Sequence, residues 1–157
     1  MPDDYVMRFL PGILSRFAQF YPLVQIEVNC ESSTQLLQRQ DLDLTIVTRK
    51  PGNEMGQLLR QERLVWAEAQ DALDARGRDY RLAYNCPSLS TIMAVVNVGL
   101  AMTAQLESLV PPDWRILGEA EGLPQLPLLN IMLIRNTNKP SPITECLAEH
   151  IVEGFKP

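Results

Sequence analysis

The apolar residues of this chain change their spacing again and again, and that alternation restricts the fold more than any other feature. Phe9, Leu10, Ile13, Leu14, Phe17 and Phe20 or Tyr21 recur three and four residues apart, which lines one face of a helix. Asp3 or Asp4 can cap its start, Pro11 suits a first turn or a kink, and Pro22 stops it. Val24, Ile26 and Val28 then alternate with Gln25 and Glu27, the period of a strand. Capping residues from Asn29 to Thr34 open a second helix at Leu36 and Leu37, cut short by a strand over Leu42–Val47. Short strands are expected at Leu64–Ala67, Tyr80–Tyr84 and Leu100–Ala104. Helices are expected at Asp71–Arg78 and Thr91–Val98, closed by Gly77 and Gly99. Prolines bracket an irregular stretch around Trp114. The apolar run Leu129–Ile134 reads as a strand buried on both faces in a parallel sheet. Ser141 and Pro142 open a last helix, where Ile143, Leu147, Ile151 and Phe155 form an i+4 stripe. Strand and helix alternate throughout, so the expected class is α/β with mainly parallel sheets.

Composition narrows the function classes. A chain of 157 residues with 46% hydrophobic and 21% charged residues suits one globular domain or two small lobes, not a disordered tail. Fourteen Lys plus Arg against nineteen Asp plus Glu give a net charge of −5. Counterion release from phosphates needs a basic surface, so this chain by itself is a poor DNA binder. The start, MPDDYVMRFL, places acids before its first apolar run and is not expected to direct export. No apolar stretch reaches the ~20 residues of a membrane span, so no membrane association is expected. Cys30, Cys86 and Cys146 are three, far apart and without CxxC spacing. That favours reduced thiols in a cytoplasmic protein over disulfides or a metal site.

Enzymatic constellations are thin, and no catalytic residue, metal or cofactor is expected. His150 is the only histidine, and it reads as a helix-end residue near a carbonyl. No serine sits in GxSxG, and no glycine-rich phosphate loop occurs. Cys30 and Cys86 read as small buried hydrophobes. Asp41 and Asp43 read as residues flanking a strand start. The positive signal is a recurring turn: Pro2-Asp3-Asp4-Tyr5, Glu31-Ser32-Ser33-Thr34 and Cys86-Pro87-Ser88-Leu89-Ser90-Thr91. Each can open a helix, whose free N–H groups carry partial positive charge. In open α/β sheets such turns gather where ligands bind. Thr48 and Arg49 follow a strand at that edge, where Arg49 can clamp an anion. The alternative reading makes all three ordinary caps.

These same stretches, in this order, resemble the effector-binding domain of LysR-type transcriptional regulators. The resemblance is carried by Pro2-Asp3-Asp4-Tyr5 with Phe9-Leu10-Pro11, Tyr21 to Val28, Glu31-Ser32-Ser33 with Leu36-Leu37, and Asp41 to Val47. It continues through Leu64-Val65-Trp66, Leu73 to Arg78 and Val95 to Thr103. It implies the two Rossmann-like α/β lobes of the type II periplasmic-binding-protein kind, joined by two crossovers, with a small-molecule cleft. Lobe I would be 1–65 with 128–157, and lobe II 66–127.

Carried over by position, the effector residues would be Asp4, Tyr5, Ser32, Ser33, Thr34, Thr48, Arg49, Ser88, Leu89, Ser90 and Thr103. A polar or anionic effector is favoured, although Trp66, Tyr5 and Tyr84 also suit an aromatic one. The resemblance further implies a homodimer through Phe9, Ile13, Phe17, Phe20, Ile92, Val95 and Val96, and a tetramer of the full-length protein. DNA would be reached only through an N-terminal winged helix-turn-helix that this chain does not contain. Against the family pattern, the first strand of lobe I is also missing, the chain is short near Gln40, and some thirty residues are missing between Gln70 and Asp71. Pieces of a longer polypeptide joined together are the expected explanation; an intact mass near 17.7 kDa would overturn it. The competing functional class is a solute-binding protein for transport, and an enzyme ranks third.

Overall fold

Helix α1 (Asp3–Phe20) carries Tyr5, Ile13 and Phe17 on its buried face, and these are among the most deeply buried side chains of the chain. They pack against α4 (Pro142–Gly154), where Ala148 and Ile151 are buried and Phe155 follows at the helix end. Phe9 stacks on Phe155 with ring centroids 4.3 Å apart, and Tyr5 meets the same ring edge-on at 6.2 Å. At Gly154 the two helices are close: a Cβ there would lie 2.3 Å from Ile13 Cγ1, so the Ile13 side chain would have to shift. The computed structural model describes residues 1–52, 55–69, 86 and 88–156. The expected helix Asp71–Arg78 and strand Tyr80–Tyr84 lie outside them.

The chain forms two compact units. The first comprises residues 1–61 and 129–157, the second residues 62–128. In the first, β1 (Leu44–Arg49) lies beside β5 (Leu128–Arg135), with Val47 opposite Met132 and Ile46 opposite Leu133. Val47, Met132 and Leu36, from the one-turn helix α2 (Ser33–Leu36), make a small core. Strand β2 (Gln57–Ala69) starts in this unit and runs on into the second. In the second unit β2 pairs with β3 (Thr103–Leu106) and with β4 (Trp114–Leu117). Helix α3 (Leu89–Asn97) covers this sheet, with Val96 against Ala67 and Trp114. Among the described residues, no helix is long and apolar enough to cross a membrane.

Several sequence expectations change. The class is α/β, but every pairing of known register is antiparallel rather than parallel. An apolar run such as Leu129–Ile134 records burial on both faces and not the direction of its neighbour. Among the described residues, Val24–Val28 takes no regular secondary structure and joins no sheet. The strand at Leu64–Ala67 is the end of a longer one whose first half carries charge. The stretch around Trp114, expected to be irregular, supplies β4. Helix α1 has Pro2 at its cap position with no side-chain cap, so the expected Asp cap is not used, and Pro11 lies mid-helix. Cys30 is exposed rather than buried, and Cys86 is half-buried. His150 Nδ1 lies 2.8 Å from the Cys146 carbonyl oxygen, the structural role expected of it.

Three ion pairs make the packing testable. Glu68 of β2 is fully buried and receives a 2.8 Å bond from Arg115, its cross-strand partner on β4. Removing Arg115 leaves a buried carboxylate alone. Arg115→Ala should therefore destabilise the chain by about 1–3 kcal/mol in urea unfolding, reduced by the exposure of the arginine. Arg39 donates to Asp41 at 2.7 and 2.5 Å and to Glu31 at 2.6 Å. The Arg39 hydrogen bonds hold the Asp41 carboxyl down at about 2. A carboxyl lowered by folding stabilises above its ordinary value, and the gain disappears as pH falls from near 4 through 2. Arg39→Ala should return the Asp41 titration, followed by NMR, to the ordinary carboxylate range.

Candidate functional site

The candidate site in the first unit is built around Thr48, next to last in β1. The phenol of Tyr5 meets Thr48 Oγ1 at 2.7 Å, across 43 residues of sequence. The Thr48 N–H donates to Ser33 Oγ at 2.9 Å, which ties the end of β1 to the first turn of α2. The starts of α1 and α2 and the end of β1 are thus brought together, as the recurring turns suggested.

The hydroxyls there are largely committed. Ser32 Oγ donates to Gln35 Oε1 at 2.7 Å and accepts from the Gln35 N–H at 3.4 Å, while the Ser32 N–H donates to Gln35 Oε1 at 3.1 Å. This is a capping box, so Ser32 is the ordinary cap of the alternative reading. Ser33 is occupied by Thr48, and Thr34 is exposed. The ring of Tyr5 is buried at 1% exposure, so only its hydroxyl is polar material for a site. Arg49 differs from all of these. Its Nε is buried and has no hydrogen-bond partner. A guanidinium N–H removed from water without an acceptor is costly. The side chain of Asp4 lies outside what the structure describes.

In the second unit, Ser88 precedes α3 without capping it, and its hydroxyl pairs with Ser90 Oγ at 2.8 Å. The first N–H groups of α3 are therefore free of side-chain caps, and Leu89 is half-buried at that end. Thr103 opens β3 and makes only a long 3.4 Å contact, to the Ala104 carbonyl. Trp66 spends its indole N–H on the Pro124 carbonyl at 3.0 Å. Tyr84 and Pro87 lie outside the described residues. Among those residues, no group of three or more His, Cys, Asp or Glu is placed to hold a metal.

Three residues of the expected dimer face are buried within the chain itself. Ile13, Phe17 and Val96 are 0%, 1% and 1% exposed within the chain itself, because they fill the cores under α1 and α3. Phe9, Ile92 and Val95 are half-buried, and Phe20 is 70% exposed. Sequence reasoning missed Glu68 with Arg115, since a charged residue in a strand reads as a surface position. The alternation Ala67-Glu68-Ala69 beside Trp66 was the available signal.

The fold is that of solved C-terminal regulatory domains of LysR-family transcriptional regulators. No family model matches the chain. It is 31% identical to the HTH-type transcriptional regulator DgdR of Burkholderia cepacia over 96% of its own length and 61% of that protein. The aligned stretch is 179 residues, longer than the 157-residue chain, so the relative carries insertions against it. Among solved structures, the C-terminal domain of a probable LysR family transcriptional regulator from Rhodococcus sp. RHA1 superposes with a TM-score of 0.72. Identity there is 15%, over 96% of this chain and 95% of that one. The CcmR regulatory domain of Synechocystis PCC6803, in complex with 2-PG, gives 0.74 at 18% identity over 98% and 94%. The chain spans about three fifths of the length of the regulators it matches in sequence.

The Tyr5–Thr48 bond can be tested directly. Tyr5→Phe keeps the buried ring and removes the hydroxyl, so it should cost about 0.5–1.5 kcal/mol in thermal or urea unfolding. Tyr5→Ala empties the space beside Phe155 as well, and should cost about 3–5 kcal/mol by the same measurement.

Proposed function

We propose that this chain is the effector-sensing regulatory domain of a LysR-type DNA-binding transcription factor, working in the cytoplasm. Its likeness to DgdR along nearly its whole length supports this reading over transport or catalysis. The single observation that carries the sensing role is the buried, unpartnered Nε of Arg49 at the end of β1. A guanidinium in that state favours a small anionic or polar effector, which would complete its hydrogen bonding. Ser33, Thr34 and Thr48 flank it in what we take as lobe I, residues 1–65 and 128–157. Ser88, Leu89, Ser90 and Thr103, with the uncapped start of α3, are the corresponding candidates in lobe II, residues 66–127.

Effector binding would shift the equilibrium between conformations of the domain, and the change would reach DNA through a separate N-terminal domain. The net charge of −5 supports that separation of sensing from DNA contact. A homodimer is proposed through Phe9, Phe20, Ile92 and Val95, with a tetramer in the full-length protein.

The effector is testable by calorimetric titration with a panel of small carboxylates and phosphate esters, including 2-PG. At least one compound should bind, and Arg49→Ala should weaken it by tenfold or more, the equivalent of about 1.4 kcal/mol. Silence across the panel, or binding that Arg49→Ala leaves unchanged, would overturn the assignment.

A further inference from the structure

The face of the first unit's sheet that α2 covers is apolar along most of β1 and β5 and turns polar at one end. Val47 and Met132 lie opposite each other there and pack on Leu36 of α2, with Ile134 against the same cluster. Two residues further along this face, the ladder places Arg49 opposite Asn130. Directly opposed residues of an antiparallel pair hold their side chains on one face, near enough to interact. Asn130 is 5% exposed, and Ile131, Met132 and Leu133 after it are all buried and apolar. A carboxamide in such a run is costly unless its hydrogen bonds are made.

They are made on one side only. Gln61 of β2, the strand on the other side of β5 from β1, donates from Nε2 to Asn130 Oδ1 at 3.0 Å. Among the described residues, Asn130 Nδ2 has no hydrogen-bond partner. The oxygen and nitrogen of a carboxamide diverge from one carbon, so an oxygen turned toward β2 leaves the NH2 group on the β1 side, where Arg49 stands. Arg49 Nε is buried without a partner as well. Two donors without an acceptor therefore share the end of one sheet face, and Arg49, Asn130 and Gln61 all belong to the first unit. An oxyanion, which only accepts, can satisfy both donors at once.

We infer that Asn130 is a second effector-binding residue, its Nδ2 donating to the same oxyanion that Arg49 binds. Gln61 is then a positioning residue, which holds the carboxamide with its NH2 group toward Arg49. Resting on the effector reading of Arg49, this assignment narrows the effector to one that presents a carboxylate or phosphate oxyanion to two donors together.

The test titrates the isotope-labelled 157-residue chain with sodium acetate and with inorganic phosphate at fixed ionic strength, read by NMR. For at least one anion, the Arg49 Nε–H and Asn130 NH2 signals should move together with one dissociation constant. Asn130→Leu exchanges the carboxamide for an apolar side chain of similar shape. It should weaken that anion about tenfold while the urea midpoint holds or rises, because a buried polar group has been removed. Gln61→Glu offers only acceptors to Asn130, so the carboxamide should turn over. Its NH2 signal should then stop responding to the anion while Arg49 Nε–H still responds; an unchanged NH2 response would overturn the positioning role. An Asn130 NH2 signal that stays still while Arg49 Nε–H moves, or unchanged affinity in Asn130→Leu, would overturn the inference and leave the Arg49 reading standing. No response of Arg49 Nε–H to either anion would overturn both.

Discussion

Tyr5 is the residue on which the first unit depends. Its ring is buried against Phe155 at the end of α4, and its hydroxyl holds Thr48 at the end of β1. Thr48 in turn holds Ser33 through its backbone N–H. One side chain therefore couples the helix-on-helix core to the sheet and, through one more bond, to the turn before α2. The arrangement is economical because a buried phenol supplies both apolar area and a single polar end that must be satisfied. The close approach of α1 and α4 at Gly154 serves the same end, since a Cβ there would displace the Ile13 side chain.

That coupling separates the polar groups into two kinds. Ser32 and Ser33 have hydroxyls whose hydrogen bonds hold the backbone in place. Arg49 has a buried N–H with nothing to hold. Glu68, fully buried, bonds Arg115 across one pair of strands through Oε1, while its Oε2 is buried without a hydrogen-bond partner.

Much of this was legible in the sequence, and the exceptions have physical causes. The stripe Ile143, Leu147, Ile151 and Phe155 announced α4 because a helix packed on one side must repeat near 3.6. The run Leu129–Ile134 announced β5, but burial alone cannot encode whether its neighbour runs parallel or antiparallel. The first half of β2, with Arg60, Glu62 and Arg63, looks like a surface loop, and Glu62 and Glu68 are buried regardless. Strand β4 is four residues long and follows Pro111-Pro112, so local signals pointed to irregular structure. Two of the three hydroxyl-rich turns, those at Tyr5 and Ser33, meet at the end of β1. Which hydroxyls were already in use could not be read from them, because Tyr5 and Thr48 meet across 43 residues.

The segment Val24–Val28 is the instructive case, because its sequence and its structure disagree for a reason. Its alternation is that of a strand, yet among the described residues it has no ladder. A strand is defined by a neighbour, and a pattern written along one segment cannot supply one.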